Sequence, residues 1–203
     1  MTTDKFALGY MKHIYGPLFK EKGDKITSVL EVGTAAGDSL LEWRAQLPNA
    51  TVYGVDMFEV TTKDPDKSRL VFIGNVNAYS ADTVAQLKEL RPEGYDLIID
   101  DGSHSREHQL FFTEHYLDLL SETGVLIVED IIFQGVVGEL LDKVDKSKYT
   151  CEVYNMRNKQ LDASLNARWQ TGLDVIVVTK IASVITPEVV EPVVTPTKKK
   201  VVG

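Results

Sequence analysis

The sequence predicts an α/β fold, a parallel sheet with helices on both faces. Two observations carry this. Apolar runs of strand length recur at 28–31, 51–55, 70–73, 97–99, 125–128 and 175–178. Several are continuous rather than alternating, as expected of strands covered on both sides. Between them lie amphipathic stretches of helix length, at 39–46, 80–90, 107–120 and 136–144. Strands alternating with helices are the pattern of a parallel sheet.

The remaining segments fit around that frame. A leading helix is expected over 5–20, kinked or broken at Gly16-Pro17, because proline removes a helical hydrogen bond. A further strand is expected at 150–154, joined to 175–178 by a long polar loop. The stretch 182–203 mixes prolines and valines with Lys198-Lys199-Lys200, and reads as a flexible tail. A single domain over 1–181 follows, since 203 residues with 43% hydrophobic content suffice for one core and not for two large ones. The 22 Lys and Arg against 30 Asp and Glu leave a net charge of −8. An acidic chain repels phosphate backbones, so no nucleic-acid partner is expected. The single cysteine, Cys151, has no intrachain partner. The first residues lack the apolar core of a signal peptide, and no run of about 18 apolar residues exists to span a membrane. A cytoplasmic location is therefore expected.

The first strand ends in a glycine turn. Glu31, Gly33 and Gly37 form E-x-G-x-x-x-G where strand meets helix. Glycines allow a sharp turn and close approach of a ligand to backbone, and the helix start offers free N–H groups. The spacing is not the G-x-G-x-x-G that places a pyrophosphate on a helix end. An acidic residue before the turn suits a cationic amino group, such as the amino-acid end of S-adenosylmethionine. A plain strand–helix turn is the alternative. Asp56 ends the second strand, nineteen positions after Gly37. There a carboxylate can accept ribose hydroxyls, or can cap a turn. After the third strand, Asn75 and Asn77 suit an adenine edge, and equally suit turns.

The stretch "YDLIIDDGSHSREHQ" carries the most chemistry. Asp100 and Asp101 follow a buried strand directly, with His104 close behind, and Glu129-Asp130 end the next. Ligands of open α/β sheets lie outside the carboxyl ends of strands. If the two strands are neighbours, Asp101, Glu129 and Asp130 converge as hard oxygen ligands suited to Mg2+. His104 is then placed as the general base that takes a proton from a coordinated hydroxyl. Turn and helix-cap roles are the alternative for these acids. His104-Ser105-Arg106-Glu107-His108 also matches H-x-x-E-H, a zinc-hydrolase pattern of only three fixed residues.

Together, "TDK" at Thr3–Lys5 with Tyr10 and Tyr15, "LEVGTAAGDSLLEW", "PNATVYGVDMFE", "DLIIDDGSHSREHQ", "GVLIVEDI", Arg157 and Asp174 resemble class I methyltransferases. More narrowly they resemble the macrolide-sugar O-methyltransferase and cephalosporin hydroxylase-like family. That resemblance implies a Rossmann-like, seven-stranded, mostly parallel sheet with an antiparallel last strand. It implies an S-adenosylmethionine site over Glu31, Gly33, Thr34, Gly37, Ser39, Asp56, Met57, Asn75, Val76 and Asp100. It implies a divalent metal on Asp101, Glu129 and Asp130, with His104 as base. Two features depart from the pattern. Asp38 stands where many relatives have a second glycine, and Ile131-Ile132-Phe133-Gln134 replaces a polar run.

The expected function is methyl transfer from S-adenosylmethionine to a hydroxyl of a small-molecule acceptor: a sugar, a phenol or another hydroxyl compound. A homo-oligomer would fit the family. Three other readings stand beside it: a zinc hydrolase built on His104, Glu107 and His108, a nicotinamide-dependent oxidoreductase, and a cofactor-binding module without turnover.

Overall fold

The computed structural model describes residues 5, 8–59, 62, 64–157 and 173–181. Within them the expected strands form as β1 (Ser28–Val32), β2 (Thr51–Val55), β3 (Leu70–Ile73), β4 (Tyr95–Asp100), β5 (Leu120–Ile131), β6 (Tyr149–Asn155) and β7 (Asp174–Lys180). They make one sheet in the order β3-β2-β1-β4-β5-β7-β6. The pairings from β3 through β5 are parallel, and β7 runs antiparallel to both β5 and β6. The expected tail, 182–203, and most of the loop before β7 lie outside the described residues.

The unbroken apolar runs have a direct cause: the pleat sends successive side chains to opposite faces, and both faces are covered. Val29, Leu97, Ile99, Val125 and Ile127 pack with Trp43 and Tyr15 on one face. Leu30, Val32, Ile98, Leu126 and Val128 pack with Leu87, Phe112 and Leu140 on the other. The first face is covered by helices α1 (Gly16–Lys22) and α2 (Asp38–Gln46). The second is covered by α3 (Ala81–Leu90), α4 (Arg106–Tyr116) and α5 (Gln134–Asp142). Ser80 and Ser105 start α3 and α4, each accepting a backbone N–H three residues on.

The leading helix differs from expectation. A turn at Leu8–Gly9, with Gly9 at φ +78°, interrupts the 5–20 stretch. A π-helical turn, Met11–Tyr15, then runs into α1 with Pro17 in its first turn. Gly16-Pro17 therefore marks a change of helix type rather than a break: proline's missing N–H costs little at a helix start.

Strand order reverses between β1 and β4, the place where open α/β sheets bind ligands. Register pairs Val32 with Asp100 and Asp100 with Val128. Gly33, Asp101 and Glu129 follow those residues at one rim. At the opposite rim Asp96 accepts hydrogen bonds from Thr27, Ser28 and Ser121, tying β1, β4 and β5 together.

Candidate active site

The glycine turn is dictated by close packing. Gly33 sits at φ +85°, and a Cβ there would lie 2.2 Å from the Asp101 carbonyl oxygen. The turn after β1 thus rests on the loop after β4. Gly37, at φ +76°, opens α2. Asp56 Oδ2 accepts the backbone N–H groups of Thr34 and Ala35 at 2.9 and 3.0 Å, and its Oδ1 accepts that of Phe58 at 3.0 Å. Asp56 therefore holds the turn in shape, and Oδ1 keeps lone-pair capacity for a further donor. Glu31 is fully buried beneath the turn and accepts the Ser39 hydroxyl at 2.6 Å. Burial pushes its carboxyl up to about 7, against the opposing pull of Lys5. Glu31 Oε1 and Thr34 Oγ1 are buried without a hydrogen-bond partner.

Most of the expected cofactor residues gather here. Val76 donates its N–H to the Asp56 carbonyl, and Asn75, at φ +59°, donates to the Phe58 carbonyl. Met57 is exposed on the same rim. Asn77 is taken up by a turn, accepting the Tyr79 N–H. Asp100 points instead to the far face, where it accepts the Tyr79 hydroxyl at 2.7 Å. Burial pushes its carboxyl up to about 6.

Beside the turn, Asp101, His104 and Asp130 each offer a ligand atom, all within 4.8 Å of one another. His104 Nε2 lies 3.9 Å from both Asp101 Oδ1 and Asp130 Oδ2. Both His104 (φ +55°) and Asp130 (φ +54°) hold left-handed backbone conformations. Each costs about 1–3 kcal/mol and persists only where surrounding contacts impose it. For Asp130 those contacts include Arg157, which binds the Ile131 and Ile132 carbonyls at 2.7 Å and Asp174 at 3.1 Å.

Glu129, expected as a third metal ligand, is not in this cluster. The pleat turns it to the face that carries Tyr15. There its Oε2 meets Lys5 Nζ at 2.5 Å and its Oε1 accepts the Tyr15 hydroxyl. Lys5 is 1% exposed and also contacts Asp101 Oδ2 at 2.7 Å and Glu31 Oε1 at 3.6 Å. Burial opposes its charge, but Asp101, Glu129 and Glu31 outweigh burial and hold the ammonium above its ordinary value. Tyr10 donates to Asp130 Oδ1 at 2.5 Å. The sequence carried no functional role for Lys5, Tyr10, Tyr15 or Tyr79; the only signal was that the first three lie in segments of family resemblance.

The H-x-x-E-H reading does not survive the geometry. His104 precedes α4 rather than lying on it, while His108 stacks on Tyr79 at 4.0 Å and bonds Ser103 Oγ through Nδ1 at 2.6 Å. The two histidines share no ligand group among the described residues.

Switch-point topology, glycine turn and acidic rim fit the class I methyltransferase fold. The chain belongs to the family described as "Methyltransferase domain", whose model matches residues 30–131, half of the chain. It is 28% identical over 138 residues to the 8-demethyl-8-alpha-L-rhamnosyl tetracenomycin-C 2'-O-methyltransferase of Streptomyces olivaceus, covering 64% of this chain and 35% of that one. It is 26% identical over 137 residues to the Mycinamicin VI 2''-O-methyltransferase of Micromonospora griseorubida, covering 64% and 33%. The match thus spans about a third of those relatives' length. Among solved structures, the MycE methyltransferase in complex with Mg and SAH superposes with a TM-score of 0.62 at 19% identity, over 84% of this chain and 49% of that one. Spermidine synthase from Thermotoga maritima gives 0.56 at 18% identity, over 90% and 62%. At these identities the likeness is one of fold.

Proposed function

We propose that the protein is an S-adenosylmethionine-dependent O-methyltransferase that uses a divalent cation, Mg2+, and acts on a hydroxyl of a small molecule. The observation that carries this reading is the Asp101–His104–Asp130 group, seated against a glycine turn under which Glu31 keeps an oxygen without a hydrogen-bond donor. Two carboxylate oxygens and a histidine nitrogen, all within 4.8 Å of one another, can hold a divalent cation.

S-adenosylmethionine supplies the sulfonium methyl, and a bound divalent cation supplies positive charge that makes a hydroxyl more acidic. The chain's own residues do the rest. Glu31 receives the cofactor's ammonium, and Asp56 Oδ1 accepts a ribose hydroxyl. Asp101 and Asp130 would hold the cation. His104 Nε2 takes the proton from the acceptor oxygen, within reach of both carboxylates. Alignment of oxygen and methyl along one line is then the main contribution to rate. Ile132 and Phe133, exposed two and three positions after Asp130, offer the acceptor an apolar wall. This favours a phenol, or a hydroxyl on an apolar body, over a free sugar. The related enzymes of Streptomyces and Micromonospora, named for 2'- and 2''-O-methylation, support the reaction class.

Calorimetric titration with S-adenosylhomocysteine, with and without MgCl2 and with NADH as the comparison ligand, tests the cofactor. Saturable binding lost in Glu31→Gln, with NADH silent, is expected. No binding in either buffer overturns the reading. Methyl transfer to a panel of catechols, phenols and glycosides then tests the acceptor, and turnover unchanged by EDTA removes the metal.

A further inference from the structure

The carboxylates around His104 share one pattern. Asp101 gives Oδ2 to Lys5 at 2.7 Å and turns Oδ1 toward His104. Asp130 gives Oδ1 to Tyr10 at 2.5 Å and turns Oδ2 toward His104. Glu129 meets Lys5 with one oxygen and Tyr15 with the other. All the donors come from the segment ahead of β1, and all are buried: Lys5 is 1%, Tyr10 1% and Tyr15 0% exposed.

We propose that Lys5 and Tyr10 are positioning residues for the cation site, each fixing one oxygen of a ligand carboxylate so that the other faces the bound ion. Asp101 and Asp130 thereby each present one oxygen to the site, and Glu129 shares the Lys5 ammonium with Asp101. This rests on the metal reading above. A carboxylate free to rotate offers either oxygen or both; one pinned by a buried donor offers one, in one direction. Partners of this kind, which orient a ligand without touching the ion, typically change metal affinity about 10–100-fold when removed.

The simplest alternative is that these contacts only stabilise the fold. A second is that Lys5 acts only through its charge, weakening cation binding by repulsion. The two substitutions separate them. Tyr10→Phe keeps the buried ring and removes the hydroxyl. Lys5→Met keeps the length of the side chain and removes the charge.

The probe is Mn2+ bound to the full-length chain, measured by electron paramagnetic resonance of free Mn2+, with S-adenosylhomocysteine affinity measured in parallel by calorimetry. For Tyr10→Phe, Mn2+ affinity falls at least about tenfold, while S-adenosylhomocysteine affinity stays within about twofold; a structural role alone would not split the two. For Lys5→Met, Mn2+ affinity also falls, although a positive charge has left the site. Wild-type Mn2+ affinity in Tyr10→Phe overturns the inference, and tighter binding in Lys5→Met does so too. If the wild type takes up no Mn2+, the metal reading falls and this inference falls with it. If the wild type binds and the variants match it, only the inference falls.

Discussion

Gly33→Ala is the sharpest test of how the site is held together. At φ +85° an L-residue pays about 1–2 kcal/mol for the left-handed conformation. The added Cβ would also meet the Asp101 carbonyl oxygen at 2.2 Å, the Gly102 Cα at 2.4 Å and the Asp101 carbonyl carbon at 2.6 Å. All three are backbone atoms, so no side chain can swing aside. Forced overpacking of this kind costs about 1–3 kcal/mol. The expected loss is therefore about 2–5 kcal/mol, a large share of the roughly 5–15 kcal/mol that holds a domain folded. Urea unfolding followed by circular dichroism measures it, with the denaturant slope unchanged. Gly138→Ala is the internal comparison: it lies inside α5, where a new Cβ meets nothing within 4 Å. The same methyl there is expected to stabilise by about 0.5–1 kcal/mol. A Gly33→Ala loss below about 1 kcal/mol would refute the packing of the turn on the loop after β4.

Three further outcomes are expected. Glu31 is held at about 7 by burial, so it is protonated below that pH and charged above it. Affinity for the ammonium of S-adenosylhomocysteine should rise as pH increases toward 7, by up to about tenfold per unit, and level off above; a flat wild-type profile from pH 5.5 to 8 would count against Glu31 as the ammonium partner. Burial works against the Asp96 carboxylate, but hydrogen bonds from Ser121, Thr27 and Ser28 outweigh it and hold its carboxyl below the ordinary value. Its stabilisation is then complete above the unfolded value of about 4 and is lost as pH falls through the lower folded value. Asp96→Ala should cost about 2–4 kcal/mol at neutral pH, since several donors lose a charged acceptor, and chemical denaturation at pH 7 and pH 3 checks both size and sign. Arg157→Met frees the Ile131 and Ile132 carbonyls beside the strained Asp130. It should weaken Mn2+ binding more than it lowers the unfolding midpoint, and the reverse ranking would make Arg157 a purely structural tie.

The frame of this protein was legible in its residue order because the forces that set it are local and periodic. Continuous apolar runs mark strands covered on both faces, and β1, β2 and β3 fall where those runs fall. Glycines at the first strand end mark a turn that only glycine can make, and acids at strand ends mark the rim of an open sheet. The division of labour among those acids was decided by tertiary structure. Glu129 and Asp130 are adjacent and chemically alike, yet the pleat sends them to different partners, Glu129 to Lys5 and Tyr15, Asp130 to Tyr10 and His104. Asp100 and Asp101 part in the same way, one to Tyr79 and one to Lys5. Lys5 stands 96 positions from Asp101 and 124 from Glu129, so no spacing rule connects them. Only when β1, β4 and β5 lie side by side do Glu31, Asp101 and Glu129 come onto one face, where a single buried ammonium offsets the cost of their burial.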